Sequence, residues 1–418
     1  MISNLVTWGV AGLATAGILF RPFKMPEAAC ALAGALVLIL LGLLPLSAAF
    51  SGVAKGVDVY LFLTGMMLLA ELARQEGLFD WLAARAAVLA RGSASRLFAL
   101  VYLVGILVTV FLSNDATAVV LTPAVAAVMR AAKLERPLPY LYICAFIANA
   151  ASFVLPISNP ANLVIYAAHM PPLLQWLPRF ALPSLLAIAI TFILLRWSQR
   201  VALQHAPSTD VTVPSLSAAA KLAASGIAAT ALLLMLTSAR GRPLGLPTCA
   251  AGAVTVAAVS LAVRCSPWRF VREVSWGVIP LVAGLFVLVE ALDRTGIIRA
   301  LGMLLGDEVR QSPAVAAAGS GIVVGLISNL INNLPAGLIA GTAVQGAQLP
   351  ANVTASILIG VDLGPNLSVS GSLATILWLS ALRRDAIEVK AWDFLKLGVI
   401  IMPPALLLAL GALACLAM

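Results

Sequence analysis

Apolar runs of membrane-spanning length recur along the whole chain, separated by short charged or Pro/Gly-rich connections. Ten of them, near 4–20, 27–45, 57–73, 139–168, 174–196, 219–238, 244–263, 274–292, 352–379 and 395–416, predict ten transmembrane spans. Two further apolar segments, 97–130 and 312–344, are each interrupted at the middle by a polar cluster, SND at 113–115 and SNLINN at 328–333. Backbone that leaves a helix at membrane depth is tolerated only where protein or a water-filled cavity satisfies its polar groups. Both segments therefore read as re-entrant hairpins with polar tips near the midplane. The runs 139–168 and 352–379 read as helices broken at a proline-containing polar cluster. The predicted fold is an all-α polytopic membrane protein.

The pattern repeats. Glu71–Gly77 reads ELARQEG and Glu290–Gly296 reads EALDRTG, each near the end of a span. A short amphipathic stretch follows, at 78–90 and 297–307, and then a hairpin with Ser-Asn at its tip. A long span broken by proline comes next in each half. These correspondences divide the chain into a first repeat (1–200), a linker (201–218) and a second repeat (219–418). The two copies start on opposite sides of the membrane, an inverted arrangement that recurs in transporters with discontinuous helices and a midplane site.

Composition agrees with a membrane body. Of 418 residues 62% are hydrophobic and only 10% charged, with a mean hydropathy of +1.05. Soluble domains carry about a quarter charged residues. The N-terminal run has no basic flank or clear small-residue cleavage site, and reads as a retained first span. The net charge of +9 would suit a nucleic-acid partner only if the basic residues clustered. They do not. With the hairpins returning to their own side, 19 of the 26 Lys and Arg fall on one face and 7 on the other. That bias puts the first face in the cytoplasm and both termini outside. The five cysteines, Cys30, Cys144, Cys249, Cys265 and Cys415, show no disulfide or zinc spacing.

Candidate chemistry concentrates in four polar clusters inside apolar sequence. They are Ser113-Asn114-Asp115 with Thr117; Ser158-Asn159-Pro160 with Asn162; Ser328-Asn329 with Asn332 and Asn333; and Asp362 to Asn366 with Ser368, Ser370 and Ser372. Ser, Asn and Asp are strong N-caps and Pro suits the first helical position, so each cluster reads as the start of a buried half-helix, with Pro160 and Pro365 at that first position. The side chains either cap helix ends only or also hold a polar solute. Asp115 and Asp362, one per half, are intramembrane carboxylates and candidates for proton coupling, with N-capping as the structural alternative. Glu71 and Glu290 lie nearer the span ends and read as structural. His169 and His205 fall in loops without metal-ligand spacing, and Cys144 reads as a small buried hydrophobe rather than a thiolate ligand.

In these clusters the chain resembles the arsenite/antimonite efflux permeases, the ArsB family of the ion transporter superfamily. The motifs are FLSNDATAVVLTP (111–123), PISNPANLV (156–164), ISNLINNLPA (327–336) and DLGPNLSVSGSLATILW (362–378). The resemblance implies secondary efflux of arsenite or antimonite in exchange for protons, with no cofactor. The binding residues would be Ser113, Asn114, Thr117, Ser158, Asn159, Asn162, Ser328, Asn329, Asn332, Asn333, Asn366 and Ser370. It also implies an elevator in which spans 1–3 and 6–8 form a scaffold, and a possible cytosolic ATPase partner. Superfamily carriers of sodium, dicarboxylate or silicic acid are the alternative within transport. Sodium-coupled dicarboxylate carriers typically have Ser-Asn-Thr at both tips, where this chain has Asp115 and Leu330 in the third positions. A membrane-embedded hydrolase is the alternative of another class, but no His-paired nucleophile or Walker motif accompanies the breaks.

Overall fold

A computed structural model describes residues 2–416, apart from the side chains of Lys24 and Ala168. Among them the secondary structure is helical throughout, and the order of helices is the same in both halves. The first half opens with α1 (Ile2–Phe20), α2 (Glu27–Leu40), the short α3 (Leu46–Lys55) and α4 (Val57–Gln75). Then come α5 (Leu78–Ala90) and a hairpin of α6 (Ala94–Phe111) with a rod made of α7 (Asn114–Ala116), a π-helical stretch (Thr117–Leu121) and α8 (Thr122–Ala131). A broken pair, α9 (Leu138–Ala150) and α10 (Pro160–Tyr166), leads to the 26-residue α11 (Leu173–Ser198).

The second half runs α12 (Ala218–Ala239), α13 (Gly245–Val263), the single turn α14 (Trp268–Val271) and α15 (Val278–Arg294). It continues with α16 (Ile297–Gln311), the hairpin α17 (Pro313–Ile331) and α18 (Asn333–Gly346), the broken pair α19 (Ala351–Leu363) and α20 (Leu373–Arg384), and α21 (Ala391–Leu416).

Among the described residues seven helices are long and apolar enough to cross a membrane, and eight if α3 and α4, bent by 49° at Gly56, count as one. They include α6 and α17, so the first arm of each hairpin is itself of spanning length. The remaining expected spans are the short apolar α2, the amphiphilic α15 and the two broken pairs, whose pieces are each too short to cross alone. Sequence reading left 46–55 outside the spans; it forms α3, which buries Ala48, Ala49 and Gly52 and exposes Leu46 and Phe50.

Packing pairs recur across the halves. α4 lies along α13 as α2 lies along α15, α6 packs on α9 as α17 packs on α19, and α11 and α21 run together. Close crossings are made by glycine. A Cβ on Gly65 would sit 2.2 Å from the Thr248 carbonyl oxygen, and one on Gly360 only 2.1 Å from that of Gly321. Where lipid supplies no hydrophobic drive, such backbone approach is a main source of helix association. Gly77 and Gly296, the last residues of the repeated motifs, both have positive φ (74° and 84°) and turn the chain from a span into α5 or α16. The two connecting helices then diverge: α5 buries seven of its residues in the V of the first hairpin, whereas α16 buries only Ile298 and Gly302 and exposes Leu301, Met303 and Leu304.

Candidate functional site

At the first tip the chain turns at Leu112 and Ser113. The Ser113 hydroxyl accepts the Ala116 N–H at 3.1 Å, a true N-cap, and the Asn114 side chain accepts the Asp115 N–H at 2.9 Å. The π-helical stretch that follows brings Thr117 Oγ within 2.8 Å of Thr109 Oγ, and Thr122 donates to the Thr117 carbonyl at 3.3 Å. One residue escapes this network. The Asp115 carboxylate accepts no hydrogen bond among the described residues, and it borders a cavity of about 70 Å³ together with Ser113, Glu71, Glu273, Pro160 and Leu377. A second hollow of about 190 Å³, which reaches Arg384 and Asp385, shares Val119, Ser275 and Leu377 with the first. The two hollows adjoin, and the second runs from Pro123 at the start of α8 to Arg384 at the end of α20.

The second tip is closed. Asn329 Nδ2 donates to the Gly325 and Gly364 carbonyls, both at 2.9 Å, while its Oδ1 accepts from Ser368 Oγ at 2.7 Å. Ser370 Oγ donates to the Asn329 carbonyl at 3.0 Å, and Asn332 Nδ2 donates to the Ser370 carbonyl at 3.3 Å. Ser328 and Asn329 therefore sit in the last turn of α17 instead of starting a half-helix. The cap of α18 is Asn332, at φ 73°, whose side chain accepts the Leu334 N–H. Asn333 is buried beside it, and Leu330 points outward.

The two breaks differ in the same way from a uniform N-cap pattern. Asn159 caps α10 by accepting the Ala161 N–H at 3.0 Å, with Pro160 in the first position. Ser158 donates to the Val110 carbonyl at 3.1 Å, tying this break to the first hairpin. Asn162 Nδ2 faces three break carbonyls, those of Ser152 (2.9 Å), Leu155 (3.3 Å) and Pro156 (3.4 Å). In the second break Pro365 occupies a 3₁₀ turn, Gly364–Asn366, and the half-helix α20 begins later, capped by Ser372 on the Thr375 N–H at 3.1 Å. Asp362 thus lies in the last turn of α19, where it cannot act as an N-cap.

Across the halves side-chain hydrogen bonds join the breaks. Asn159 Nδ2 donates to Asp362 Oδ1 at 2.7 Å, and Asn149 Nδ2 donates to Asn366 Oδ1 at 3.0 Å. Asn366 in turn donates to the Phe146 carbonyl at 3.1 Å. All four side chains are buried. Asn149 and Ser152 belong to this core of polar contacts but escaped the sequence reading. A lone Asn in the apolar run LYICAFIANAASF was the available signal.

The remaining candidates are placed plainly. Glu71 accepts from Arg74 at 2.8 and 2.5 Å and from Gln75 at 2.6 Å; Glu290 accepts from Lys55 at 2.6 Å and Arg294 at 3.2 Å. Both are charge-paired at matching places, and Glu71 also borders the Asp115 cavity. Cys144 is fully buried and does not line that cavity.

The sequence model of the citrate transporter family, CitMHS, matches residues 15–361. Arsenical pump membrane proteins are similar along most of their length. That of Yersinia enterocolitica is 26% identical over 373 residues, and that of Escherichia coli K12 is 25% identical over 377, each match covering 84% of both chains. The YdaH transporter of Alcanivorax borkumensis shares the fold at a TM-score of 0.57, with 17% identity, 88% of this chain and 86% of that one covered. MtrF of Neisseria gonorrhoeae, from a class of antimetabolite efflux pumps, aligns at 0.54 with 13% identity, covering 91% of this chain and 84% of its own. The chain is a multi-pass membrane transporter, not an enzyme, and it belongs to the CitMHS family, with arsenical pumps among its relatives.

Proposed function

We propose that the chain exports arsenite and antimonite across the bacterial inner membrane in exchange for protons. The observation that carries this reading is the lining of the cavity at the first tip. It offers the Ser113 hydroxyl and three carboxyl groups, Asp115, Glu71 and Glu273, and no Lys or Arg. Glu71 and Glu273 are paired with Arg74 and Arg272, and the carboxylate of Asp115, which has no such pair, would repel a citrate anion, the substrate that the family's description suggests. Arsenous acid is neutral at physiological pH and presents only hydroxyls, which such groups can bind. A volume of about 70 Å³ is also well below the ~300 Å³ at which pockets for larger organic ligands begin.

Asp115 is the coupling carboxylate in this scheme. It faces the cavity without a partner, whereas Asp362 is sealed in the core and held by Asn159. Solute and proton compete: arsenous acid enters while Asp115 is ionised and can accept its hydroxyl proton, and protonation from outside releases it. If 380–396 lies in the cytoplasm and both termini outside, the reading that the charge bias supports, the hollow that reaches Arg384 and Asp385 opens inward. The recurrent helix pairings support two inverted repeats, with hairpins and broken helices moving as an elevator against α1–α4 and α12–α15. No ATPase subunit is needed for proton exchange.

Everted vesicles test the reading. They should accumulate arsenite when energised and lose accumulation on addition of an uncoupler. Accumulation that resists the uncoupler, or of citrate in place of arsenite, overturns it.

A further inference from the structure

A cavity of about 620 Å³ lies at the start of α11, between the ends of α10 and α18 and the start of α19. It shares no residue with the two hollows at the first tip. Its lining carries the side chains of Arg179 and His169 and no carboxylate. Two helix starts and two helix ends meet here, so their dipoles offset one another and the side chains set the sign of the field. That sign is positive, because among the described residues no Asp or Glu forms an ion pair with Arg179.

One donor inside the cavity is fixed in place and unused. Tyr166 is 5% exposed, and its hydroxyl is buried without a well-formed hydrogen bond, with the Arg179 guanidinium beside it. The ring is held. It packs at 60° to Trp176 with centroids 5.6 Å apart, and the Trp176 indole N–H is anchored on the Phe153 and Val154 carbonyls, both at 3.2 Å. Leaving a buried hydroxyl unpaired is costly, so a fixed one beside an unpaired guanidinium marks a place for an acceptor that carries negative charge.

The rest of the lining says what surrounds that charge. Gln345 is committed to the Ile165 carbonyl at 2.9 Å, whereas Gln175 and Gln348 are exposed at the mouth. Ile165, Val344 and Leu349 give the wall an apolar part. The 26 residues of α11 make about 39 Å of helix against the roughly 30 Å hydrocarbon core of a bilayer. Its first turns, which carry Gln175 and Arg179, therefore reach the headgroup layer.

We propose that this cavity binds the phosphate group of an anion at the membrane surface, with the phosphate oxygens accepting from the Tyr166 hydroxyl and from the Arg179 guanidinium, whose fork suits that group. An anionic phospholipid with a glycerol headgroup fills the remaining space, its hydroxyls against Gln175 and Gln348 and its acyl chains along the apolar wall. Free inorganic phosphate occupies the charged end alone. The inference rests neither on the transported solute nor on proton coupling, so it stands or falls apart from both.

The test uses the purified full chain in neutral detergent without arsenite, at fixed pH and ionic strength, with Tm as the readout. Phosphatidylglycerol in mixed micelles should raise Tm in a saturable manner, and phosphatidylcholine should need at least tenfold more for the same gain. Tyr166→Phe deletes only the hydroxyl and Arg179→Gln only the charge. Against each variant's own lipid-free Tm, the phosphatidylglycerol needed for half the gain should rise at least threefold in the first and tenfold in the second. Should Arg179→Gln not fold, Tyr166→Phe decides. Arg299→Gln, at an exposed arginine outside the cavity, should leave the gain as it is. A gain from inorganic phosphate that the same two variants abolish keeps the site and assigns it to the free anion. No gain from either phosphate source overturns the site. So does an equal gain from phosphatidylcholine, a gain that Tyr166→Phe and Arg179→Gln leave unchanged, or one that Arg299→Gln weakens equally.

Discussion

The two hairpin tips are built from the same residue types and reach opposite states of hydrogen bonding. At the second, Asn329 is a hub whose amide and carbonyl hold Gly325, Gly364, Ser368 and Ser370, so every strong polar group faces another of the same half. At the first, Ser113 and Asn114 are spent on local backbone N–H groups and Asp115 is left facing a cavity. The difference traces to where each cluster sits relative to the turn: Ser113 caps the helix that follows it, whereas Ser328 and Asn329 end α17, so Asn329 reaches the Gly364 carbonyl and Ser368 of the second break. Matching elements can thus divide labour, one tip holding a helix end and the other presenting a chemical group.

The largest expected effect follows from abolishing the open tip's charge. Asp115→Asn keeps the size of the side chain but cannot titrate, so arsenite accumulation in energised everted vesicles should fall to the uncoupled baseline while counterflow exchange persists. Full gradient-driven accumulation in this variant would remove the first tip from coupling.

The next effect strikes the closed tip. Asn329→Ala removes one hydrogen bond each from the Gly364 carbonyl, which keeps the Leu367 N–H, and from the Ser368 hydroxyl, which keeps Ser370, and should cost about 1–3 kcal/mol, at roughly 0.5–1.5 kcal/mol for each bond lost. Denaturation in detergent should show it as a lowered Tm. Gly371→Ala should act in the same direction, because its Cβ would lie 2.7 Å from Asn329 Oδ1 and 2.6 Å from the Pro365 Cα. Unchanged stability in both would mean that the second tip is not locked. A smaller loss, about 1 kcal/mol, is expected for Thr117→Val, which removes one neutral hydroxyl and its contacts to Thr109 and the Ser113 carbonyl.

How far such differences are legible in sequence depends on whether a local rule or a distant partner decides them. Spans, tips and breaks follow from hydropathy and from polar residues in apolar runs, and Ser113 and Asn159 cap helices as their types predict. Asn329 and Asp362 carry the same cap-forming signature, yet each closes a helix, because Gly364 and Pro365 end α19 early and Ser372 takes over the cap of α20. The Asn149–Asn366 and Asn159–Asp362 contacts join residues more than 200 positions apart, and no periodicity encodes them. Nor does sequence reveal that Glu71, though held by Arg74, also borders the cavity.

The smallest expected effect concerns the thiols, and it sharpens what kind of site the first tip is. Trivalent arsenic binds thiolates tightly, so a cysteine in the cavity would compete with the hydroxyl recognition proposed here. The cavity lining contains none, and Cys144, fully buried in α9, is out of its reach. Cys30 is also buried, and Cys415 is exposed near the C-terminal end of α21. Replacing all five cysteines should leave arsenite export within about twofold of the parent, with only the packing loss expected of buried Cys→Ser changes at Cys30 and Cys144, about 1–2 kcal/mol each. Cys144→Ala avoids that polar penalty and separates stability from chemistry. If export fails in Cys144→Ala while Tm is unchanged, thiolate ligation enters the mechanism and hydroxyl recognition at the first tip is insufficient.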